Sequence, residues 1–96
     1  MSAPRFHTSA QPSESLVASL CREADQLRGR ARQVVGDLGR CREEGLVRRL
    51  RKELQLLQSR RRELQASAAQ LRRSRGLRDS LALAFLIELT RRPLPC

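Results

Sequence analysis

The chain has 96 residues and a formal net charge of +10, and it contains 17 leucines but only two aromatic residues. A domain this short buries a modest share of its surface, and a leucine core with almost no aromatic bulk usually needs partner surface to be complete. One histidine and no Tyr or Trp leave few of the side chains that enzymes use for catalysis, so the composition disfavours an autonomous enzyme.

Cysteine usage and motifs restrict the chemistry further. The three cysteines form no CxxC pair, and no secretory apolar segment lies in the first 30 residues, which predicts an intracellular location in the cytoplasm or nucleus. A single Arg before residue 22 disfavours a mitochondrial presequence. No His or Cys pair has zinc-ligand spacing and no nucleotide-binding motif occurs, so we expect no metal, no cofactor and no small-molecule ligand.

The first predicted elements are a flexible tail and a helix. Residues 1–12 contain Pro4 and Pro12 and show no apolar period, which predicts a disordered N-terminal tail. From Ser13, a candidate N-cap, a seven-residue repeat begins, as expected for a coiled-coil helix. Its a positions are Val17, Ala24, Ala31 and Leu38, and its d positions are Leu20, Leu27, Val34 and Cys41.

A second repeat follows in a different register, so that the whole heptad region covers residues 13–75. Its a positions are Val47, Leu54, Arg61 and Ala68, and its d positions are Leu50, Leu57, Leu64 and Leu71. The two repeats differ by an offset that a continuous coiled coil does not absorb, which predicts a break within residues 39–46 and an antiparallel hairpin. One long kinked helix is the alternative, because Arg42, Glu43 and Glu44 are acceptable in a helix.

The C-terminal segment is predicted to form an apolar helix over residues 77–92, followed by a short tail at 93–96. Apolar side chains cover this helix nearly all round, which is typical of a segment buried on several sides. We expect it to dock on another protein, although it could instead fold back about Gly76 and close a three-helix bundle. The docking hypothesis assigns partner contacts to Leu81, Phe85, Leu86, Ile87 and Leu89.

Positive charge is concentrated in the second repeat, which predicts a basic helix face. This face comprises Arg48, Arg49, Arg51, Lys52, Arg60, Arg62, Arg72, Arg73, Arg75 and Arg78. It could be a solvated surface, bind an acidic protein or lie along nucleic-acid phosphates. Nucleic acid is the less favoured partner, because no aromatic residue interleaves the arginines to stack bases.

Arg61 is the one charged residue at a predicted core position. A charge in an apolar seam often selects register and partner, so Arg61 could meet an acidic residue of another chain. Alternatively, its stem packs in the seam and its guanidinium reaches solvent beside Gln58 and Gln65.

Together these patterns predict an all-α protein of coiled-coil helices. The stretch from Lys52 to Arg73 resembles small coiled-coil subunits of multiprotein assemblies, a pattern shared by many such proteins. The predicted function is non-enzymatic binding or scaffolding, with self- or hetero-oligomerisation through the heptad seams. An Arg-rich nucleic-acid-binding accessory factor is the alternative. The longest apolar stretch, residues 81–87, is far shorter than the roughly 20 residues that cross a membrane.

Overall fold

The protein is all-helical, as the sequence predicts. A computed structural model describes residues 12–73 and 80–96, with side chains described from Ser15 onward. It contains helix α1 (Pro12–Arg40), helix α2 (Glu44–Leu71) and helix α3 (Leu81–Arg91). Residues 1–11 of the predicted tail and the predicted hinge at Gly76 lie outside the described residues, whereas Pro12, the last residue of that predicted tail, is the first residue of α1.

The predicted break between the two heptad repeats is a short turn, Cys41 to Glu43. The amide of Cys41 still donates to the carbonyl of Asp37 at 2.9 Å, which completes the last turn of α1. Glu43 has extended backbone angles, and its carboxylate accepts from the amide of Leu46 at 2.7 Å. This side-chain cap satisfies an amide that the start of α2 would otherwise leave unpaired. The two long helices therefore form the antiparallel hairpin and not one kinked helix.

The apolar seams of the two long helices close against each other within the chain. The buried seam residues are Val17, Ala24, Ala31, Val34, Leu50, Leu54, Leu64 and Ala68. They divide into one cluster that α3 completes and a second cluster nearer the turn. Because the seam positions are already occupied in the single chain, they are not the free oligomerisation surface that the heptads alone suggested.

Helix α3 folds back onto the hairpin. Ser80 is its N-cap and accepts from the amide of Leu83 at 3.1 Å, so α3 begins at Leu81. Residues 77–79 of the predicted helix lie outside the described part. Leu83 and Leu86 enter the same cluster as Val17 and Leu64. The fold-back alternative from the sequence is therefore the observed one, and the molecule is a three-helix bundle.

The segment after α3 also packs on the hairpin. Thr90 is buried, and its hydroxyl donates to the carbonyl of Leu86 at 2.8 Å, which satisfies a polar group inside the core. Leu94 is buried in the cluster near the turn. The amide of the Gln58 side chain donates to the carbonyl of Leu94 at 3.3 Å. The predicted tail at 93–96 is thus partly docked.

Candidate functional site

Arg61 binds the C-terminal end of α3. Its guanidinium donates to the carbonyl of Thr90 at 2.7 Å and to the side-chain oxygens of Gln58 at 3.0 Å and Gln65 at 3.4 Å. The side chain thus leaves the seam beside the two glutamines, as the second sequence-based interpretation expected. Its main partner is an internal carbonyl, and no acidic residue of another chain is needed to explain its position.

Arg28 of α1 holds the same end of α3 from the other helix. It donates to the carbonyls of Leu89 at 3.4 Å, Arg92 at 3.0 Å and Pro93 at 3.4 Å. The last carbonyls of a helix lack intrahelical partners and carry partial negative charge, so two guanidinium groups stabilise them. The sequence analysis did not identify Arg28, because a heptad pattern assigns it to an edge without showing what lies there.

Two ion pairs join α1 and α2 along the opposite edge of the hairpin. Arg30 binds Glu53 through two hydrogen bonds of 2.5 and 2.8 Å, and Arg60 binds Glu23 through two of 2.5 and 2.9 Å. All four residues occupy the g position immediately before an a residue. Charges at g face each other when two heptad helices run antiparallel, so their complementarity was a readable signal that the sequence analysis missed.

These pairs change the acidity of both carboxyls. The hydrogen bonds from Arg60 lower the pKa of Glu23, and those from Arg30 lower the pKa of Glu53. Burial opposes each shift, and direct charge attraction adds to it. Both carboxylates are therefore held in their charged form, which supports a role in setting the register of the hairpin.

The predicted basic face is not one uniform surface. Arg60 forms one ion pair with Glu23 and a second with Glu63, the latter at 2.8 Å. Near the turn, four exposed cations line one side of α2 and take part in none of the ion pairs formed within the described residues: Arg48, Arg49, Arg51 and Lys52. Arg62, Arg72 and Arg73 are exposed farther along, whereas Arg75 and Arg78 lie outside the described residues.

The predicted partner residues of α3 divide into two groups. Leu81 is 87% exposed and Phe85 is 57% exposed, so both lie on the outer surface one helical turn apart. Leu86 is completely buried, and Ile87 and Leu89 pack partly against the core. The prediction that Leu86 contacts a partner is wrong, because the hairpin already surrounds its side chain.

A groove of about 610 Å³ separates α2 from α3 on the surface, and we call it the α2–α3 groove. Among the described residues, its lining combines small or apolar side chains with cationic ones and contains no carboxylate. The lining residues are Gln65, Ala68, Ala69, Arg72, Arg73, Ile87, Thr90 and Arg91. Arg72 and Ile87 also line a smaller depression that continues toward the start of α3.

The cysteines of the described residues are free thiols: Cys21 and Cys41 are half-buried and Cys96 is exposed. Cys21 is half-buried and donates to the carbonyl of Ala82 at 3.6 Å, and burial raises the pKa of its thiol. Across residues 12–73 and 80–96, no group of three His, Cys, Asp or Glu side chains could hold a metal ion. In the same part of the chain, no helix has both the length and the apolar character needed to cross a membrane.

The chain matches no protein-family model, no curated protein and no solved structure.

Proposed function

We propose that this chain is a non-enzymatic binding or scaffolding subunit of a multiprotein assembly in the cytoplasm or nucleus. The observation that carries the proposal is the exposed pair Leu81 and Phe85 on α3. The other large side chains of this helix pack wholly or partly against the hairpin, so this pair is apolar surface that the bundle leaves in water. Exposed apolar pairs on a rigid helix are typical contact points for another protein.

The proposed partner binds the outer surface of the bundle and not the heptad seams. The seam residues already pack within the chain, and α3 covers one edge of the hairpin. A partner would therefore add to the outside of the formed bundle. Helices with a fixed position lose little conformational freedom on binding, which favours a bundle of this kind as a scaffold.

One observation supports the alternative function of nucleic-acid binding. Arg48, Arg49, Arg51 and Lys52 are exposed together near the turn, and Glu53 beside them is bound by Arg30. Such a group could contact phosphates, and binding would then depend strongly on salt.

Recovery of the tagged full-length chain from cells, after cross-linking and with or without nuclease, tests these functions. We expect protein complexes of defined stoichiometry that survive nuclease and are lost in the variant L81Q/F85Q. L56Q is the matched control, because Leu56 is an equally accessible leucine on α2 at 62% exposure. Recovery of only nuclease-sensitive material, reduced by substituting Arg48 and Arg49, would instead establish the nucleic-acid function.

A further inference from the structure

The α2–α3 groove has the chemical character of a site for one kind of protein segment. Its floor contains Ala68, Ala69 and Ile87, and its rim contains Arg72, Arg73 and Arg91. We propose that this groove binds an acidic amphipathic helix from another protein, so that the three-helix bundle gains a fourth helix. The inference rests on the proposed scaffolding function and specifies the class of partner.

The floor of the groove favours a helix as the bound element. Ala69 is exposed and Ala68 lies buried beside it, so α2 carries two small side chains at this point of the groove, next to Gln65. Small side chains allow a second helix backbone to approach closely, and Ile87 of α3 supplies an apolar contact on the other side. An extended strand would leave its backbone hydrogen-bonding groups unpaired here, because the groove is formed by two helices.

The rim of the groove determines the charge of the bound helix. Arg72 and Arg73 enter none of the ion pairs found among the described residues, and Arg91 has only a long contact of 3.7 Å to Glu88. These three guanidinium groups, with no carboxylate among the described residues of the lining, repel a basic segment and attract an acidic one. Apolar residues at the centre and charges at the rim are the usual arrangement of a protein interface.

A second copy of this chain does not fit that description. The chain carries a net charge of +10, and its most apolar helix, α3, contains one acidic and one basic residue. Two copies meeting at this groove would bring like charges together. The occupant is therefore a different chain whose helix has leucine-like residues on one face and carboxylates beside them.

Nucleic acid is also a poorer occupant of this groove. Its floor offers alanine and isoleucine side chains and no aromatic ring on which a base could stack. Phosphates would meet the arginine rim but would gain nothing from the apolar floor. The exposed cations near the turn, which lack such a floor, suit phosphates better than this groove does.

Binding of a designed peptide to the full-length chain tests the proposal. The probe is a labelled helical peptide with Leu at the a and d heptad positions and Glu at most others, studied below the concentration at which it self-associates. We expect saturable binding by fluorescence anisotropy, and we expect binding weaker by about tenfold or more in A69E and in R72E/R73E because carboxylates then face carboxylates. Ala69 is exposed and Glu is a good helix former, so A69E keeps the fold even if the double variant does not.

The controls separate this site from general charge attraction. R48E/R49E makes the same charge change near the start of α2, far from the groove, and is expected to bind the probe as the parent protein does. Equal weakening by R48E/R49E, equal binding of a Leu-free Glu peptide, or preferential binding of a single-stranded oligonucleotide at this groove would overturn the proposal. If the probe fails while nuclease-resistant complexes remain sensitive to L81Q/F85Q, the groove inference is wrong and the proposed scaffolding function stands.

Discussion

Along one edge of the hairpin, partly exposed ion pairs join α1 to α2, whereas along the other edge α3 covers both helices. The ion-pair edge contains Glu23, Arg30, Glu53 and Arg60, all at heptad position g. The α3 edge contains Cys21, Arg28, Gln58 and Gln65, all at position e. The same two helices are thus closed by charge complementarity on one side and by burial on the other.

The difference shows how edge residues direct the third helix. The four residues of the α3 edge include no carboxylate, and three of them donate hydrogen bonds to backbone carbonyls of α3 or of the segment after it. A carboxylate there would repel the negative end of α3. Ion pairs open to solvent on one side contribute little stability, so the g residues mainly specify register. The e residues receive the helix that supplies most of the additional core.

The largest effect is expected from removing burial at the α3 edge. Leu86→Ala deletes most of a completely buried side chain and is expected to reduce the free energy of unfolding by about 2–5 kcal/mol. Leu81→Ala is the matched control on the same helix; its side chain is exposed, so the change is expected to stay within about 0.5 kcal/mol. Chemical unfolding followed by circular dichroism measures both, and equal losses would mean that α3 is not docked.

A smaller effect is expected from removing the guanidinium that holds the end of α3. Arg61→Met keeps the apolar stem but leaves the Thr90 carbonyl without this donor, which is expected to cost about 1–3 kcal/mol. Arg62→Met is the neighbouring control, since Arg62 is exposed and its described hydrogen bond is a 3.3 Å contact to Ser59. Hydrogen exchange should show faster exchange of α3 amides in Arg61→Met only; unchanged exchange would contradict the assignment.

At the ion-pair edge, the expected effects are weaker and reversible by charge exchange. Arg30→Glu or Glu53→Arg alone is expected to lower the melting temperature because two like charges then face each other, and the double variant is expected to regain most of the loss. Thermal melts at low and high salt measure the coupling, which salt should reduce. Additive losses in the double variant would show that the two residues do not interact in solution.

The smallest effect concerns pH. Because the pKa values of Glu23 and Glu53 are lower in the folded protein than the usual 4.5, their ion pairs contribute fully above pH 4.5 and the contribution falls as acid protonates the folded carboxyls. We therefore expect the parent protein to lose more stability below pH 4.5 than E23Q/E53Q does. Unfolding curves across the acid range test this, and parallel pH profiles would argue against the pairs.

Heptad periodicity accounts for the hairpin, since most of the a and d residues it identifies lie in the core and the register shift coincides with the turn. One of the two interpretations of Arg61 drawn from the heptads, a guanidinium that leaves the seam beside Gln58 and Gln65, matches the structure. The hydrogen bond from Arg61 to the Thr90 carbonyl could not be predicted from the sequence. The position of α3 along the hairpin axis depends on three-dimensional packing, which a sequence repeat does not encode. Treating the arginines of α2 as one face hid the pairing of Arg60 with Glu23, which comparison of the g positions would have revealed.

The hydrogen bonds from Arg28 and Arg61 to the end of α3 bear on the order in which contacts form. Arg28 belongs to α1 and Arg61 to α2, so both can bind the end of α3 only when the hairpin has formed. Joining α1 to α2 closes a short turn, whereas the contacts of Arg28 with the end of α3 span more than 60 residues of sequence and require a larger loss of chain entropy. Arg61 reaches the end of α3 over a shorter separation of 29 residues, so it is the contacts of Arg28 that we expect to form only once α1, α2 and α3 are all in place.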